Sequence, residues 1–292
     1  MNIKKVFINT YRYDFHFARV CIASIRYWYP DIPIYLIKDE NSGTFDTRYD
    51  EKLWNVDVLN VPRKKFGWGY GKLETLFLNQ RESYFVIDAD AVITGPVFDV
   101  VNNNSADFIV DDEVQPTTRF NEIYFRLDRI KELDKNYVYP GYSFNTGQWF
   151  GTSAILSRDD FNNTLNWSEP PSSKNASIVF NNDQTHLNYV VHTQERLGRI
   201  AVARIRLLVW PKDGAAKFID LEKIRSHSGE YPYVIHWAGM SAMKFNDLPR
   251  QDILQFYQKY YYSRGRALKR FTNTLRTIYL DAEKKFTHTL KR

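Results

Sequence analysis

Short apolar segments alternate with helical ones along the first ninety residues, and this alternation constrains the fold more than any other feature. The strand-like runs are KVFIN (5–9), IYLIKDE (34–40), VDVLNVP (56–62) and YFVID (84–88). Amphipathic segments at 15–28 and 68–83 predict helices between them. Strands that alternate with helices indicate an α/β fold with a mostly parallel, doubly wound sheet. Farther on, residues 142–156 predict a strand pair around a glycine.

The fourth strand runs directly into two carboxylates, Asp88 and Asp90. Acidic side chains two residues apart on a strand point the same way and repel each other unless a cation lies between them. Sheets of this class bind ligands beyond the carboxyl ends of their strands. Carboxylate oxygens suit Mn²⁺ or Mg²⁺, which are usually shared with substrate phosphates. The alternative for an isolated Asp-x-Asp is the polar start of a loop.

Three later segments follow the Asp-x-Asp in a recognisable order: FNTGQWFG from 144, NNDQTHLN from 181 and HWAGMSAMKF from 236. Together, over residues 3–246, they resemble the GT-A glycosyltransferases, specifically retaining family 8, which includes glycogenin and bacterial lipopolysaccharide sugar transferases. The resemblance implies a GT-A fold. The last segment departs from the family signature, since Lys244 is displaced by two positions and no Pro-Trp follows it.

The resemblance implies a Mn²⁺ or Mg²⁺ site and a UDP-sugar donor. Asp90 and His236 would bind the metal, and Asp88 would contact the metal or the donor ribose. Lys72 and Lys244 would assist the departing diphosphate electrostatically. A solvated lysine at a helix start is the alternative for Lys72.

The resemblance also implies the residues around the donor sugar. Asp183 would bind sugar hydroxyls, and Gln184 would lie near the anomeric carbon and stabilise the transition state of a front-face, retaining transfer. Asp183 is also a candidate helix N-cap, together with Asn182. Asn145 would contact the sugar, as would Asp111 or its neighbour in the acidic doublet at 111–112.

Position alone places Thr10, Tyr11 and Asp39, which follow the first two strands, near the base and ribose of the nucleotide. Several aromatic residues are candidates either for stacking on an acceptor sugar or for the core. They are Trp68, Tyr70, Tyr142, Trp149 and Trp237.

From residue 247 the pattern becomes helical, and we predict a catalytic domain at 1–246 and a basic helical extension at 247–292. From Lys259 onward there are ten basic and two acidic residues, a net charge of +8 against +6 for the whole chain. An apolar stripe recurs at three- and four-residue steps. It comprises Leu268, Phe271, Leu275, Ile278, Tyr279, Ala282, Phe286 and Leu290. This pattern predicts peripheral binding to an anionic membrane; packing back onto the domain and binding nucleic acid are the alternatives.

The sequence therefore predicts an enzyme, a metal-dependent hexosyltransferase that acts on a glycan or glycolipid acceptor in lipopolysaccharide-type biosynthesis. The single Cys21, the lack of a signal segment and the lack of a membrane span predict a cytoplasmic protein. One alternative is an inverting transferase with Glu113 or Asp183 as base. The others are a non-catalytic nucleotide-sugar-binding protein and a nucleic-acid-binding protein; we expect no nucleic-acid partner.

Overall fold

The computed structural model describes residues 1–113, 115–240, 243–265 and 267–289. Twelve strands are assigned within these residues. They are β1 (Lys5–Tyr11), β2 (Ile34–Asp39), β3 (Val56–Val58), β4 (Ser83–Asp88), β5 (Ala91–Ile93), β6 (Phe108–Val110), β7 (Gln148–Thr152), β8 (Leu165–Asn166), β9 (Ser172–Ser173), β10 (Val202–Arg204), β11 (Leu208–Val209) and β12 (Val234–His236).

Seven of these strands form the main sheet, in the order β10-β6-β7-β4-β1-β2-β3. Strand β7 pairs antiparallel with both of its neighbours, and the remaining pairs are parallel. This arrangement confirms the prediction of an α/β fold with a mostly parallel sheet. The carboxyl ends of β1, β2 and β4 lie side by side at one edge, where the predicted site residues end their strands.

Helices cover both faces of this sheet. The α-helices are α1 (Phe15–Trp28), α2 (Arg48–Trp54), α3 (Val97–Val101), α4 (Thr117–Ile123), α5 (Asp183–Arg196), α6 (Gly214–Lys217), α7 (Leu221–Arg225), α8 (Gln251–Ser263) and α9 (Ala267–Thr289). Successive residues of β1 point to opposite faces, so Val6 and Ile8 enter one core with α1, while Phe7 enters the other with Leu187 of α5.

Two local predictions were wrong. Residues 68–83 form a shorter 3₁₀-helix, Tyr70–Phe77, instead of a long helix. Its fully buried Tyr70, Leu73 and Leu76 recur every three residues, which matches three residues per turn. The predicted strand pair at 142–156 is one strand, β7, because the preceding residues form a turn in which Asn145 Oδ1 accepts from the Gly147 N–H (2.7 Å).

A second, three-stranded sheet, β11-β12-β5, stands beside the carboxyl end of β4. Strand β5 begins one residue after the Asp-x-Asp, and its antiparallel partner β12 places His236 opposite Ala91. The Trp237 N–H donates to the Asp90 carbonyl (2.9 Å). The pairing therefore brings residues that are nearly 150 positions apart to the same place.

The C-terminal region is helical with a break near residue 265, as predicted. Helix α8 buries Ile253, Leu254, Tyr257 and Tyr261 in the core that contains α1. Helix α9 extends from there across the loop after β1. No helix among the described residues is long and apolar enough to cross a bilayer.

Candidate functional site

A cavity of about 810 Å³ opens at the carboxyl ends of β1, β2 and β4. Its charged lining consists of five carboxylates and two lysines. They are Asp14, Asp39, Asp88, Asp90, Asp183, Lys72 and Lys284. Five acidic side chains around one cavity repel one another unless cations or bound protons offset their charge.

Asp88, Asp90 and His236 form a group that could hold a metal ion. One potential ligand atom from each of the three lies within 4.8 Å of the others. His236 Nε2 is 3.2 Å from Asp90 Oδ1 and 3.7 Å from Asp88 Oδ2. Two carboxylate oxygens and one imidazole nitrogen make a donor set that fits Mn²⁺.

His236 is fixed from the side opposite the carboxylates. Its Nδ1 is 3.2 Å from Asn145 Oδ1, and its ring stacks on Trp210 with a centroid separation of 5.6 Å. An acceptor at Nδ1 leaves Nε2 available as a metal ligand, which is the usual arrangement around a metal-binding histidine. A Cβ atom on Gly147 would lie 2.1 Å from His236 Cε1, so this position accepts only glycine while the ring stays in place.

The electrostatics of these three residues reflect burial and mutual charge. Burial raises the pKa of Asp88, although Lys72 and His236 pull in the opposite direction. Burial also acts to raise the pKa of Asp90, but the charge and hydrogen bond of His236 outweigh it and the pKa is lowered. Burial acts to lower the pKa of His236, but the negative charges of Asp90 and Asp88 outweigh burial, so the pKa of His236 is raised. Positive charge thus favours the ionised form of both carboxylates, and it outweighs the effect of burial at Asp90 but not at Asp88.

Lys72 is buried between two of the site carboxylates. Its Nζ donates to Asp88 Oδ1 (2.8 Å) and to the Thr146 carbonyl (2.9 Å), and it lies 3.0 Å from Asp183 Oδ2. Burial acts to lower the pKa of Lys72, but Asp183 and Asp88 more than compensate and hold it above its usual value. Lys72 therefore faces the site and is not a solvated lysine at a helix start.

Helix α5 presents Asp183 and Gln184 to the same region. The N-cap is Asn182, whose side chain accepts from the Thr185 N–H (2.8 Å), so the Asp183 carboxylate is free to pair with Lys72. Gln184 Oε1 accepts from Asn145 Nδ2 (2.9 Å) and from the Thr146 N–H (3.2 Å). Asn145 therefore connects Gln184 to the metal candidate His236.

The residues predicted for the nucleotide divide into two groups. Tyr11 and Asp39 line the cavity. Asp39 also holds the glycine-containing loop, because its carboxylate accepts from the backbone N–H groups of Phe66 (2.9 Å) and Gly67 (2.8 Å). Thr10 is buried and donates its hydroxyl to Asp14 Oδ1 (2.7 Å), and it is not part of the lining.

Two further predicted residues, Asp111 and Lys244, lie away from the cavity. Asp111 is buried and accepts from the N–H groups of Leu207 (2.9 Å) and Leu208 (3.0 Å), which anchors the start of β11. Burial raises its pKa to about 6. Its neighbour Asp112 pairs with Arg204 (3.3 Å). Lys244 is exposed and lines a different cavity, of about 400 Å³.

The aromatic candidates are resolved by burial. Tyr70, Tyr142, Trp149 and Trp237 are core residues, each at most 3% exposed. Trp68 is 75% exposed and lines the cavity between Gly67 and Gly69, so it is the member of the set that is available to a ligand.

Sequence reasoning missed two charged residues of the lining. Asp14 accepts from Thr10 and from the Tyr11 N–H (2.9 Å), and burial raises its pKa well above the usual value. Its place between the end of a predicted strand and the start of a predicted helix is the sequence pattern that could have identified Asp14. Lys284 lies in α9, far along the chain from the rest of the site, and no local pattern points to it.

Comparisons with known proteins identify the fold. The sequence matches no family model and no curated protein. Solved glycosyltransferase structures do share the fold, and galactosyltransferase LgtC, solved with donor and acceptor sugar analogues, superposes with a TM-score of 0.54 at 14% identity, covering 89% of this chain and 95% of that one. The bifunctional glycosyltransferase WbbM superposes with a TM-score of 0.56 at 12% sequence identity, covering 90% of this chain and 51% of that one. The glycosyltransferase GlyE of Streptococcus pneumoniae TIGR4 superposes with a TM-score of 0.51 at 12% sequence identity, covering 89% of this chain and 60% of that one.

The chain thus spans nearly all of LgtC but only about half of the WbbM chain. The structural neighbours named above are all glycosyltransferases, and the predicted GT-A fold is confirmed. At these identities the likeness concerns the fold.

Proposed function

We propose that this protein is a metal-dependent glycosyltransferase that moves a hexose from a UDP-sugar to a glycan or glycolipid acceptor with retention of configuration. The observation that carries the proposal is the convergence of Asp88, Asp90 and His236 at a cavity large enough for a nucleotide sugar. A bound Mn²⁺ or Mg²⁺ would act there as a Lewis acid on the departing diphosphate.

The chain's own residues orient the donor around that point. Tyr11 and Trp68 offer aromatic faces along the cavity, and Asp39 holds the loop that carries Trp68. Lys72 pairs with both Asp88 and Asp183 and holds them at a fixed separation, so that Asp183 can accept hydrogen bonds from sugar hydroxyls. The geometry is set before the donor arrives, which lowers the cost of ordering it.

Retention is favoured by the environments of Glu113 and Asp183, the two carboxylates considered as a base. Glu113 is not part of the cavity lining and accepts from the Tyr124 hydroxyl (2.5 Å) and Gln115 Nε2 (2.6 Å). Asp183 is paired with Lys72. An inverting transfer needs an available base near the acceptor, whereas a front-face transfer needs a polar group such as Gln184 at the sugar.

The test is hydrolysis of a panel of UDP-sugars by the purified protein with Mn²⁺, measured as the release of UDP. We expect turnover that a chelator abolishes and that Asp90→Asn reduces by at least a hundredfold. Asp112→Asn is the matched control, because this carboxylate is exposed and lies off the cavity. Absence of both turnover and donor-induced thermal stabilisation with every UDP-sugar would overturn the proposal. The anomeric configuration of the product, measured by NMR, decides between retention and inversion.

We further propose that the protein associates with an anionic membrane surface through α9. Phe271, Leu275, Ile278 and Tyr279 of the predicted apolar stripe are all more than half exposed, and the exposed Arg270 and Arg276 flank them. The side chains of Leu268 and Phe286, and Leu290 as a whole, lie outside the described residues.

An exposed apolar strip bordered by arginines is suited to the headgroup region of an anionic bilayer. We expect the full-length protein to co-sediment with phosphatidylglycerol vesicles but not with neutral ones. Phe271→Ser combined with Ile278→Ser should reduce that binding while donor hydrolysis is kept. Equal co-sedimentation of this variant and the wild type would overturn the membrane proposal.

A further inference from the structure

Helix α9 returns to the cavity over the loop that follows β1. Arg12 Nη2 forms an ion pair with Glu283 Oε2 (2.7 Å). The next residue, Lys284, has its Nζ 3.5 Å from the Tyr11 hydroxyl and about 6 Å from the ring centroids of Tyr11 and Tyr13. The C-terminal helix is therefore attached to the first loop of the chain and contributes a lysine to the cavity wall.

The two lysines of the lining are in different situations. Lys72 is 2% exposed and is already paired with Asp88 and Asp183. Lys284 is partly exposed, and its Nζ lies 3.5 Å from the Tyr11 hydroxyl. Among the described residues, Lys284 is thus the cation of the lining that is not already paired with a carboxylate of the site.

The proposed donor needs such a cation. A diphosphate bound beside these acidic side chains is repelled unless positive charge offsets both the phosphates and the acids, and one divalent ion supplies only two positive charges. The lysine expected to do this from the sequence, Lys244, faces the second cavity with His16 and Arg270 and is not in the main lining. Lys284 lines the main cavity.

We propose that Lys284 binds the diphosphate of the donor, and that the Arg12–Glu283 ion pair positions it there. The inference rests on the proposed function. A lysine ammonium is a mobile point charge, which suits a phosphate that arrives from solvent. The donor site is then composite: the strand ends provide the metal ligands, and α9 provides the phosphate cation. The helix with the exposed apolar strip is the same helix that completes the active site.

The test compares binding of UDP and of uridine to the full-length protein with Mn²⁺ by isothermal titration calorimetry. Loss of one charge-assisted hydrogen bond to phosphate predicts that Lys284→Gln binds UDP about tenfold more weakly. Uridine has no phosphate, and its affinity should be unchanged. Lys284→Arg should keep UDP affinity within about threefold. Arg270→Gln is the control, since it removes the same charge from the same helix at a residue that lines the other cavity.

The positioning role of the ion pair has its own variant. Glu283→Gln leaves Lys284 intact, and we expect a loss of UDP affinity of about threefold with uridine binding unchanged. A general loosening of the structure would weaken the binding of both UDP and uridine. A loss of affinity for UDP alone therefore identifies a positioning role. Thermal unfolding of each variant shows whether the fold is intact.

Two results overturn the inference and leave the proposed function standing: UDP binding by Lys284→Gln equal to that of the wild type, or equal losses of UDP and uridine affinity. A wild-type protein that binds no UDP overturns the proposed function and this inference with it.

Discussion

Replacing Gly147 with alanine places a methyl group against the imidazole of His236. The added Cβ would lie 2.1 Å from Cε1, 2.2 Å from Nδ1 and 2.7 Å from Asn145 Oδ1. Non-bonded carbon atoms prefer separations of about 3.5 to 4.0 Å, so the overlap exceeds 1 Å. The backbone of Gly147 is not in the left-handed region, and the effect of the substitution is therefore purely steric.

The imidazole has little room to yield. His236 is 3% exposed and is stacked on Trp210 with an interplanar angle of 21°. A shift that relieves the overlap moves Nε2 away from its position 3.2 Å from Asp90 Oδ1. Disturbing the surroundings of a metal-binding histidine typically weakens metal affinity by about 10- to 100-fold, which corresponds to roughly 1.4 to 2.8 kcal/mol. Overpacking also destabilises the fold by about 1 to 3 kcal/mol.

The assay is Mn²⁺ binding measured by the electron paramagnetic resonance signal of the free ion, together with the free energy of unfolding in urea. Gly214→Ala is the matched control, because its Cβ would have no heavy atom within 4 Å and its backbone is likewise not left-handed. Adding His236→Ala to Gly147→Ala should restore most of the lost stability, since the clashing ring is gone, but none of the Mn²⁺ affinity. Wild-type Mn²⁺ affinity in Gly147→Ala would refute the reasoning.

Three further predictions follow from other parts of the site. Lys72→Met leaves two carboxylates without their buried partner and should cost about 3 kcal/mol in urea unfolding; a loss below 1 kcal/mol would show that Asp88 and Asp183 do not depend on it. Asn182→Ala removes the N-cap of α5 and should lower the free energy of unfolding by about 1 kcal/mol. Asp220→Ala removes an exposed cap, that of α7, and should reduce sugar transfer less than Asn182→Ala does. Asp111 has a folded pKa of about 6, above its unfolded value, so the folded state binds the proton more tightly and its contribution to stability falls as pH rises from about 4 to 6. Asp111→Asn should therefore gain stability relative to the wild type over that window, by roughly 3 kcal/mol at pH 7, while UDP affinity is kept; a pH-independent difference would contradict it.

The features that could be predicted from the sequence are those that depend on neighbours in the chain. Runs of consecutive apolar residues predicted β1, β2 and β4, because a strand buried on both faces needs apolar side chains in succession. The Asp-x-Asp follows such a strand directly, so its place at the carboxyl edge of the sheet needed no tertiary information. The helix start at NNDQ likewise predicted α5, and the structure selects Asn182 as its cap.

The roles of single charged residues were less accessible, because burial and pairing are decided by distant parts of the chain. Lys72 was equally compatible with solvent and with the site until Asp183, more than a hundred residues away, was placed beside it. Asp111 directly follows β6, as predicted, yet its carboxylate accepts from the backbone N–H groups at the start of β11. The 3₁₀ geometry of Tyr70–Phe77 also depends on the two surfaces between which it packs.

The sequence by itself determined the class of fold, the carboxylates at the strand end and the order in which the site residues follow them, since each is a local pattern with a local physical cause. The tertiary structure decided which residues meet, beyond the Asp90–His236 pair that the family resemblance implied. The pairing of β5 with β12 carries His236 to Asp90, and the return of α9 carries Lys284 to the cavity. Such contacts arise from packing between segments that are far apart in the chain, and no periodicity or spacing within either segment records them.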